Sequence, residues 1–225
     1  VQAELLIDHA WGWEPCTIAD IRAYRPDSNS ISSGQVLQEP YDWHKAKLIV
    51  REMTDLLVLD LVKKRLCTDQ LTLTIGYDIE NLSDPARAAE YAGETHADRY
   101  GRRVPKHGHG TANLAGYSSS TREITDAVMA LYDRITDKNL LVRRVTVAAN
   151  RVLPENKIPR AAESGEQMDL FSAAEQKARE RERRRQEAIL AIQRRYGSNA
   201  ILKGMNLEEG ATTRERNKQI GGHRA

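Results

Sequence analysis

Two kinds of hydrophobic periodicity alternate along the middle of this chain, and their order constrains the fold more than any other feature. Between residues 30 and 153 the patterns follow the order strand, helix, strand, strand, helix, strand. This order is typical of a four-stranded sheet with both helices on one face. We therefore predict an α+β domain whose second sheet face stays open. The predicted strands are 30–37, 70–77, 107–117 and 142–152, and the predicted helices are 42–65 and 121–135.

The second strand shows the alternation most clearly. Leu71, Leu73, Ile75 and Tyr77 share one side and should meet the helices, because successive side chains of a strand point to opposite faces. A face with hydroxyl, amide and imidazole groups and few aromatic rings suits hydrogen bonding to a phosphate backbone better than base stacking. An ordinary solvated sheet face is the alternative. The open face is expected to carry Thr72, Thr74, His107, His109, Thr111, Asn113, Arg144, Thr146 and Asn150.

The segments around this domain differ from it in composition. Val1 opens directly into a helix-like run, so we expect that further sequence precedes it in the parent protein, with a processed terminus as the alternative. Ser83-Asp84-Pro85 marks a helix start inside an insertion. The tail after Gly197 should be extended or partly ordered. The predicted regions are 1–12, the end of a helix; 13–29, a tether; 30–153, the domain, with the insertion at 78–105; 154–172, a polar linker; and 173–225, a charged helix with the tail.

Composition excludes several classes of protein. Charged residues make up 29% of the chain and apolar residues 40%, which fits a soluble globular protein. The net charge is only +2, but basic side chains concentrate at Arg143-Arg144 and over 177–185. Cys16 and Cys67 form neither a disulfide framework nor a zinc pattern, so a reducing cytoplasm is expected. No apolar stretch approaches the length of a membrane-spanning helix, and no signal peptide opens the chain, so no membrane partner is expected.

His107 and His109, with His96 nearby in sequence, raise the question of a metal site. Alternate residues of a strand point the same way, and neutral imidazole is a good ligand. However, no cysteine or carboxylate stands at matching spacing, and the flanking glycines fit a close approach of the backbone equally well. We predict neither a metal site nor a catalytic residue. Hydrolysis by the His-Gly-His segment is a distant alternative, because no nucleophile or base partner can be named.

The sharpest local signal is Gln167-Met168-Asp169-Leu170-Phe171-Ser172. It places Leu170 and Phe171 side by side in a polar linker, and adjacent exposed apolar residues usually indicate a partner. The segment closely resembles the bacterial sliding-clamp-binding motif, in which a glutamine and a short spacer precede Leu-Phe. The candidate clamp contacts are therefore Gln167, Met168, Asp169, Leu170 and Phe171. The alternative is that Leu170 and Phe171 pack onto the chain's own domain.

Other segments extend the resemblance over nearly the whole chain. They are Glu4 to Gly12, Ser30-Ile31-Ser32-Ser33-Gly34-Gln35, Pro105 to Thr111, Val142-Arg143-Arg144-Val145, and the tail from Tyr196-Gly197 to Asn217. In this order they are similar to the end of the thumb, the first, third and fourth strands of the little finger, and the tail of DinB/UmuC-type Y-family translesion DNA polymerases. The tail resembles that of a Gram-positive branch. The resemblance implies the C-terminal part of an error-prone polymerase that acts in DNA repair and damage tolerance.

In that family the little finger lies along the major-groove side of the primer–template and holds its backbone. Two adjacent arginines point to opposite faces of a strand, so at least one of Arg143 and Arg144 should face the DNA. The insertion at 78–105 is longer than in the shorter DinB members of the family. The candidate DNA contacts are Ser30, Ser32, Ser33, Gln35, His107, His109, Thr111, Asn113, Arg143 and Arg144.

The palm domain, whose carboxylates hold two magnesium ions, lies N-terminal to the thumb in such polymerases. We therefore expect no cofactor and no polymerase activity in this chain alone, with magnesium belonging to the parent enzyme. The resemblance implies a bacterial protein of the SOS response that is cytoplasmic, nucleoid-associated and monomeric. Its expected partners are damaged or primer–template DNA and the sliding clamp. The alternative function is a stand-alone clamp-interacting protein that does not grip DNA.

Overall fold

The structure is a computed structural model that describes residues 2–24, 29–98, 100–158, 170–220 and 223–224. In chain order its elements are α1 Gln2–Ala10, α2 Ile18–Ala23, β1 Ile31–Tyr41, α3 Trp43–Lys64, β2 Leu66–Tyr77, α4 Glu80–Ser83, α5 Pro85–Glu90, β3 Thr95–Ala97, β4 Arg103–Pro105, β5 Gly108–Ser118, α6 Thr121–Ile135, β6 Val142–Asn150, β7 Leu153–Pro154, α7 Leu170–Tyr196, α8 Thr213–Arg216, β8 Gln219–Ile220 and β9 His223–Arg224. Short 3-10 helices cover Glu155–Lys157 and Gly204–Leu207.

Four long strands form the central sheet in the order β1-β6-β2-β5, and every neighbouring pair is antiparallel. The short strand β7 adds to the start of β2. Helix α3 packs on β1, β2 and β6, and helix α6 packs on β2 and β5. Both helices also pack against each other, so they cover the same face of the sheet. The α+β fold class with two helices on one face is therefore confirmed.

The core lies between the sheet and these two helices. Leu71, Leu73 and Ile75 of β2 are fully buried, as their alternation predicted. They meet Ile49 and Met53 of α3, which are also fully buried. Burial of each such side chain contributes about 1.5–3 kcal/mol relative to its exposure. This layer fixes which side of every strand remains open.

Capping side chains set where both core helices begin. The Asp42 side chain accepts a hydrogen bond from the Lys45 N–H at 2.9 Å and begins α3. The Ser120 side chain accepts one from the Glu123 N–H at 3.3 Å and begins α6. Such caps satisfy donors that a helix leaves unpaired at its first turn. The serine-rich turn before Thr121 thus supplies the cap of α6.

Two glycines of β5 let α6 lie directly against the sheet. A Cβ built at Gly108 would stand 2.6 Å from the carbonyl oxygen of Ile135, and one at Gly110 would stand 2.9 Å from side-chain carbons of Leu131 and Ile135. Any larger residue would push the helix away from the strand. The glycines that follow His107 and His109 therefore serve helix–sheet packing.

The insertion at 78–105 forms two short helices, α4 and α5, and the hairpin β3–β4. The Asp84 side chain caps α5 by accepting from the Ala86 N–H at 2.8 Å, which confirms the predicted helix start at Ser83-Asp84-Pro85. The hairpin places Thr95 opposite Pro105, next to the beginning of β5. The insertion thus stands at the end of the sheet where β2 finishes.

Residues 198–220, expected to be extended or partly ordered, instead pack along α3 and β1. Glu52 of α3 is only 1% exposed. Its carboxylate accepts from Asn206 Nδ2 at 2.7 Å and from the Thr212 N–H at 2.8 Å. A buried carboxylate requires such donors, so the tail and α3 stabilise each other. Hydrophobic periodicity could not predict the contact between the tail and α3, because a glutamate in a helix is ordinarily assigned to the solvent-exposed side.

Helix α7 begins at Leu170, three residues before the predicted region of the charged helix, and lies against the start of α6. Glu182 accepts from Ser120 Oγ at 2.7 Å and from the Arg122 N–H at 3.1 Å. Gln186 is buried and donates to the carbonyl oxygen of Ser119 at 3.0 Å. A carboxylate at a helix N-terminus is favourable because the helix dipole is positive there. Polar contacts therefore help to anchor α7, beside Leu190, which packs against the core.

The N-terminal segment agrees with its predicted helix and adds a second one. Helix α1 ends before Trp11, and Gly12 has a φ of 77°, a conformation that favours glycine. Helix α2 falls in the predicted tether, where Thr17 and Asp20 form a capping box. Residues 25–28 of the predicted tether lie outside the described part of the chain. Among the described helices, none has the length and apolar character needed to cross a membrane.

Candidate nucleic-acid interface

The face of the sheet opposite α3 and α6 is polar across all four long strands. The registers align Thr72 with Thr111, Thr74 with His109, and Gly76 with Arg144. They also align Ser32 of the edge strand β1 with Ala148 of β6. Residues paired across a sheet share a face, so these positions form one surface. The side chains of this open face, none of them a carboxylate, are Ser32, Val36, Gln70, Thr72, Thr74, His109, Thr111, Asn113, Arg144, Thr146, Ala148 and Asn150, with Gly34 and Gly76 between them.

Hydrogen bonds between strands hold the open-face side chains in place. Asn150 Nδ2 donates to Thr72 Oγ1 at 2.7 Å, and the Thr72 and Thr111 hydroxyls lie 3.3 Å apart. His109 Nδ1 and Thr74 Oγ1 lie 2.9 Å apart. Hydroxyl groups retain unused donor or acceptor capacity after one such bond. The arrangement is therefore a fixed array of hydrogen-bonding groups.

Arg143 and Arg144 both line one cleft at the end of this face. The register shifts between Gly76 and Tyr77, opposite Arg144 and Val142, so Arg143 is the extra residue of a β-bulge. Arg144 is exposed, whereas Arg143 lies 3.6 Å from Asp78. Simple alternation placed the two arginines on opposite faces. Because of the bulge, Arg143 and Arg144 do not point to opposite faces as predicted, and both line the same cleft.

Of the four candidate DNA contacts in β1 or just before it, two lie on the other side of the sheet. Ser33 and Gln35 alternate with the open-face residues and face α3, where both accept hydrogen bonds from Arg216. Their assignment as phosphate contacts is not supported, because the tail occupies their polar groups. Ser32 remains on the open face and Ser30 is exposed just before β1.

A model of the impB/mucB/samB family C-terminal domain matches residues 28–170, which is more than half of the chain. The chain belongs to the impB/mucB/samB family. This domain is the C-terminal region of Y-family polymerases, so the family predicted from the motifs is confirmed. The match covers the whole central sheet with α3 and α6. No curated protein sequence matches the chain.

Two solved structures show related folds. A complex of the beta-clamp processivity factor and the little finger domain of PolIV is similar with a TM-score of 0.35 and 10% identity, over 54% of this chain and 86% of that chain. The insertion ternary complex of Dbh DNA polymerase is similar with a TM-score of 0.34 and 12% identity, over 58% of this chain and 32% of that chain. These are likenesses of fold, and the family assignment depends on the domain match.

In this impB/mucB/samB domain the three histidines near the insertion lie close together. The ring centroids of His96 and His107 are 5.5 Å apart, and those of His107 and His109 are 6.3 Å apart. Partial burial lowers the pKa of His107, and the neighbouring His96, His109 and Lys106 lower it further. His107 precedes β5 and His109 belongs to it. Within the described residues, no group of three or more histidine, cysteine or carboxylate side chains is placed to hold a metal ion.

The clamp-motif residues fall at the edge of the described chain. Gln167, Met168 and Asp169 lie outside the described residues. Helix α7 begins at Leu170, and the side chains of Leu170 and Phe171 also lie outside the description. The assignment of these residues to clamp binding therefore stays a prediction.

Sequence reasoning missed several groups next to the open face. Arg151 donates to Asn113 Oδ1 at 3.0 Å and pairs with Asp69 at 2.9 Å, so it stands at the end of the face. Tyr100 and Arg102 of the hairpin loop line the same cleft as Arg144. The basic and aromatic run Tyr100-Gly101-Arg102-Arg103 was a usable signal in the sequence. Its location in an insertion concealed how near it comes to the sheet.

Proposed function

We propose that this C-terminal region of a Y-family polymerase grips the backbone of a primer–template duplex with the open face of its sheet. The observation that carries the proposal is the chemistry of that face. Hydroxyl and amide groups cover it, Arg144 is exposed at its end, and none of the strand-paired residues that the structure describes on it is a carboxylate. Such groups bind phosphates without reading sequence. The two covering helices leave no other face of the sheet accessible.

Duplex binding tests this proposal directly. The full chain is titrated into a labelled blunt duplex at several salt concentrations and followed by fluorescence anisotropy. We expect the logarithm of the affinity to fall linearly with the logarithm of salt, with a slope of about −0.9 for each phosphate neutralised. A second duplex of different sequence should bind equally well. Absence of binding, or an affinity independent of salt, would contradict the proposal.

We also propose that Gln167 to Phe171 binds a bacterial sliding clamp. Support comes from the sequence, which places two large apolar residues after a glutamine in a polar segment. Burial of each apolar side chain contributes about 1.5–3 kcal/mol before ordering costs, so a roughly micromolar affinity is expected. Gln167 supplies an amide that both donates and accepts hydrogen bonds.

Clamp binding is measured by surface plasmon resonance with wild type and a Leu170→Ala/Phe171→Ala variant. We expect the double variant to lose binding. The matched control is Ile18→Ala/Ile21→Ala, which removes two apolar side chains that are 65% and 61% exposed on α2. Loss of binding in the control, or retention in the motif variant, would refute this assignment. Clamp binding without any duplex binding would instead favour a stand-alone clamp-interacting protein.

A further inference from the structure

A cleft with a volume of about 720 Å³ lies where the insertion meets the end of the open face. Arg143 and Arg144 of β6 line one side, and Tyr100 and Arg102 of the β3–β4 hairpin line another. Its apolar lining comes from Val36, Pro40, Tyr77, Ile79 and Val104. The cleft is continuous with the proposed duplex-binding surface, because Arg144 and Val36 belong to both.

In the β3–β4 hairpin loop, hydrogen bonds to Asp98 hold the backbone at Tyr100 and Arg102. Asp98 Oδ1 accepts from the Tyr100 N–H at 2.8 Å and from the Arg102 N–H at 2.9 Å. Gly101 has a φ of 77°, which completes the tight turn. The Tyr100 side chain is nevertheless 79% exposed, and the Arg102 guanidinium lies 5.2 Å from its ring centroid. Tyr100 and Arg102 thus present an aromatic ring and a planar cation to solvent.

The charges of the cleft favour a flat, uncharged group over a run of phosphates. Asp98 pairs with Arg102 at 2.7 Å, and Asp78 lies 3.6 Å from Arg143. Glu80 also lines the cleft, so acidic and basic groups are balanced within it. A nucleobase combines flat apolar faces with polar edges, and it stacks on tyrosine rings and arginine planes.

We propose that this cleft takes an unpaired nucleobase of a DNA strand that leaves the duplex held on the open face. Tyr100 would stack on the base, and Arg144 would meet the phosphate that joins it to the duplex. Stacking of this kind tolerates any base, because every base has a π-face. The inference depends on the proposed duplex binding and adds a single-strand site to it.

The test compares three labelled DNA ligands with the full chain: a blunt duplex, the same duplex with a short single-stranded overhang, and the overhang duplex with abasic overhang positions. We expect the natural overhang to bind roughly tenfold more tightly than the blunt duplex. The abasic overhang should bind like the blunt duplex. Tyr100→Leu should remove the preference without changing blunt-duplex affinity, and Tyr100→Phe should retain it.

The matched control is Tyr196→Leu. Tyr196 is also exposed, at 66%, and also lies 5.2 Å from an arginine guanidinium, that of Arg195, but it stands at the end of α7. This control should keep the overhang preference. Equal affinity for blunt and overhang duplexes would overturn the single-strand site and leave the duplex proposal standing. A preference that survives in Tyr100→Leu or with the abasic overhang would also overturn it, whereas no binding to any ligand would overturn both proposals.

Discussion

Arg144 stands opposite Gly76 on the open face, and a Cβ at Gly76 would approach the Cβ of Arg144 to 3.2 Å. The glycine therefore gives this arginine room at the rim of the surface. Arg143 was predicted on the other face from the same alternation that correctly placed Thr72 and Thr111 within it. A bulge is not visible in the sequence, because it depends on how the neighbouring strand pairs. The sheet face on which a residue next to a β-bulge lies is therefore hard to predict from the sequence.

At the residue scale we predict that Arg144→Ala weakens duplex binding for every sequence tested and lowers the salt slope by about one. The reason is the loss of one phosphate contact. Arg122→Ala is the matched control, since Arg122 has an 87% exposed side chain on α6, on the covered side of the sheet. Anisotropy titrations at several salt concentrations measure the duplex affinity and the salt slope of each variant. An unchanged slope for Arg144→Ala, or an equal loss for Arg122→Ala, would refute the assignment.

At the element scale, the positions at which the two core helices begin were predicted correctly from capping residues close in sequence. Asp42 and Ser120 begin α3 and α6 where the sequence placed them, because a cap bonds to its own helix. Strand β1 continues past its predicted end at 37, and β2 begins before its predicted start at 70, since pairing partners far away in the chain decide where a strand begins and stops. The docked tail was missed for the same reason.

The contact between β5 and α6 leads to a prediction about glycine. Gly108→Ala should lower the free energy of unfolding by about 1–3 kcal/mol, because its new Cβ would collide with the Ile135 carbonyl oxygen. Gly116→Ala on the same strand meets nothing within 4 Å and should change stability by less than about 0.5 kcal/mol. Urea denaturation measures both variants. Equal effects would show that α6 does not press on Gly108.

The buried Glu52 leads to a second prediction at this scale. Glu52→Ala and Asn206→Ala should each lower the free energy of unfolding by about 1.5–3 kcal/mol, because their bond involves a charged group. In a double-mutant cycle the two should couple by more than about 0.5 kcal/mol. The exposed pair Asp60–Lys64 on the same helix serves as control and should couple by less than that. Additive effects of Glu52→Ala and Asn206→Ala would mean that the tail does not dock through this carboxylate.

At the scale of the whole molecule, the order of periodic segments predicted the fold class, and the motifs predicted the family. Both are confirmed, since a four-stranded sheet with two helices is common to such domains and the domain match covers it. The candidate site was predicted in part. Strand alternation identified the face, but the bulge at Arg143, the tail over Ser33 and Gln35, and the nearness of Tyr100 all depend on contacts between distant segments.

The most direct measurement is the duplex affinity of Thr111→Glu beside that of Ala130→Glu. Thr111 is exposed on the open face, and Ala130 is exposed on α6. If the open face holds the DNA backbone, the new carboxylate at Thr111 should lower affinity at least roughly tenfold by like-charge repulsion. Ala130→Glu should stay within about twofold, because salt screens exposed charges beyond about 10 Å at 0.1 M. Wild-type affinity for Thr111→Glu, or an equal loss in both variants, would contradict the open face as the DNA-binding surface.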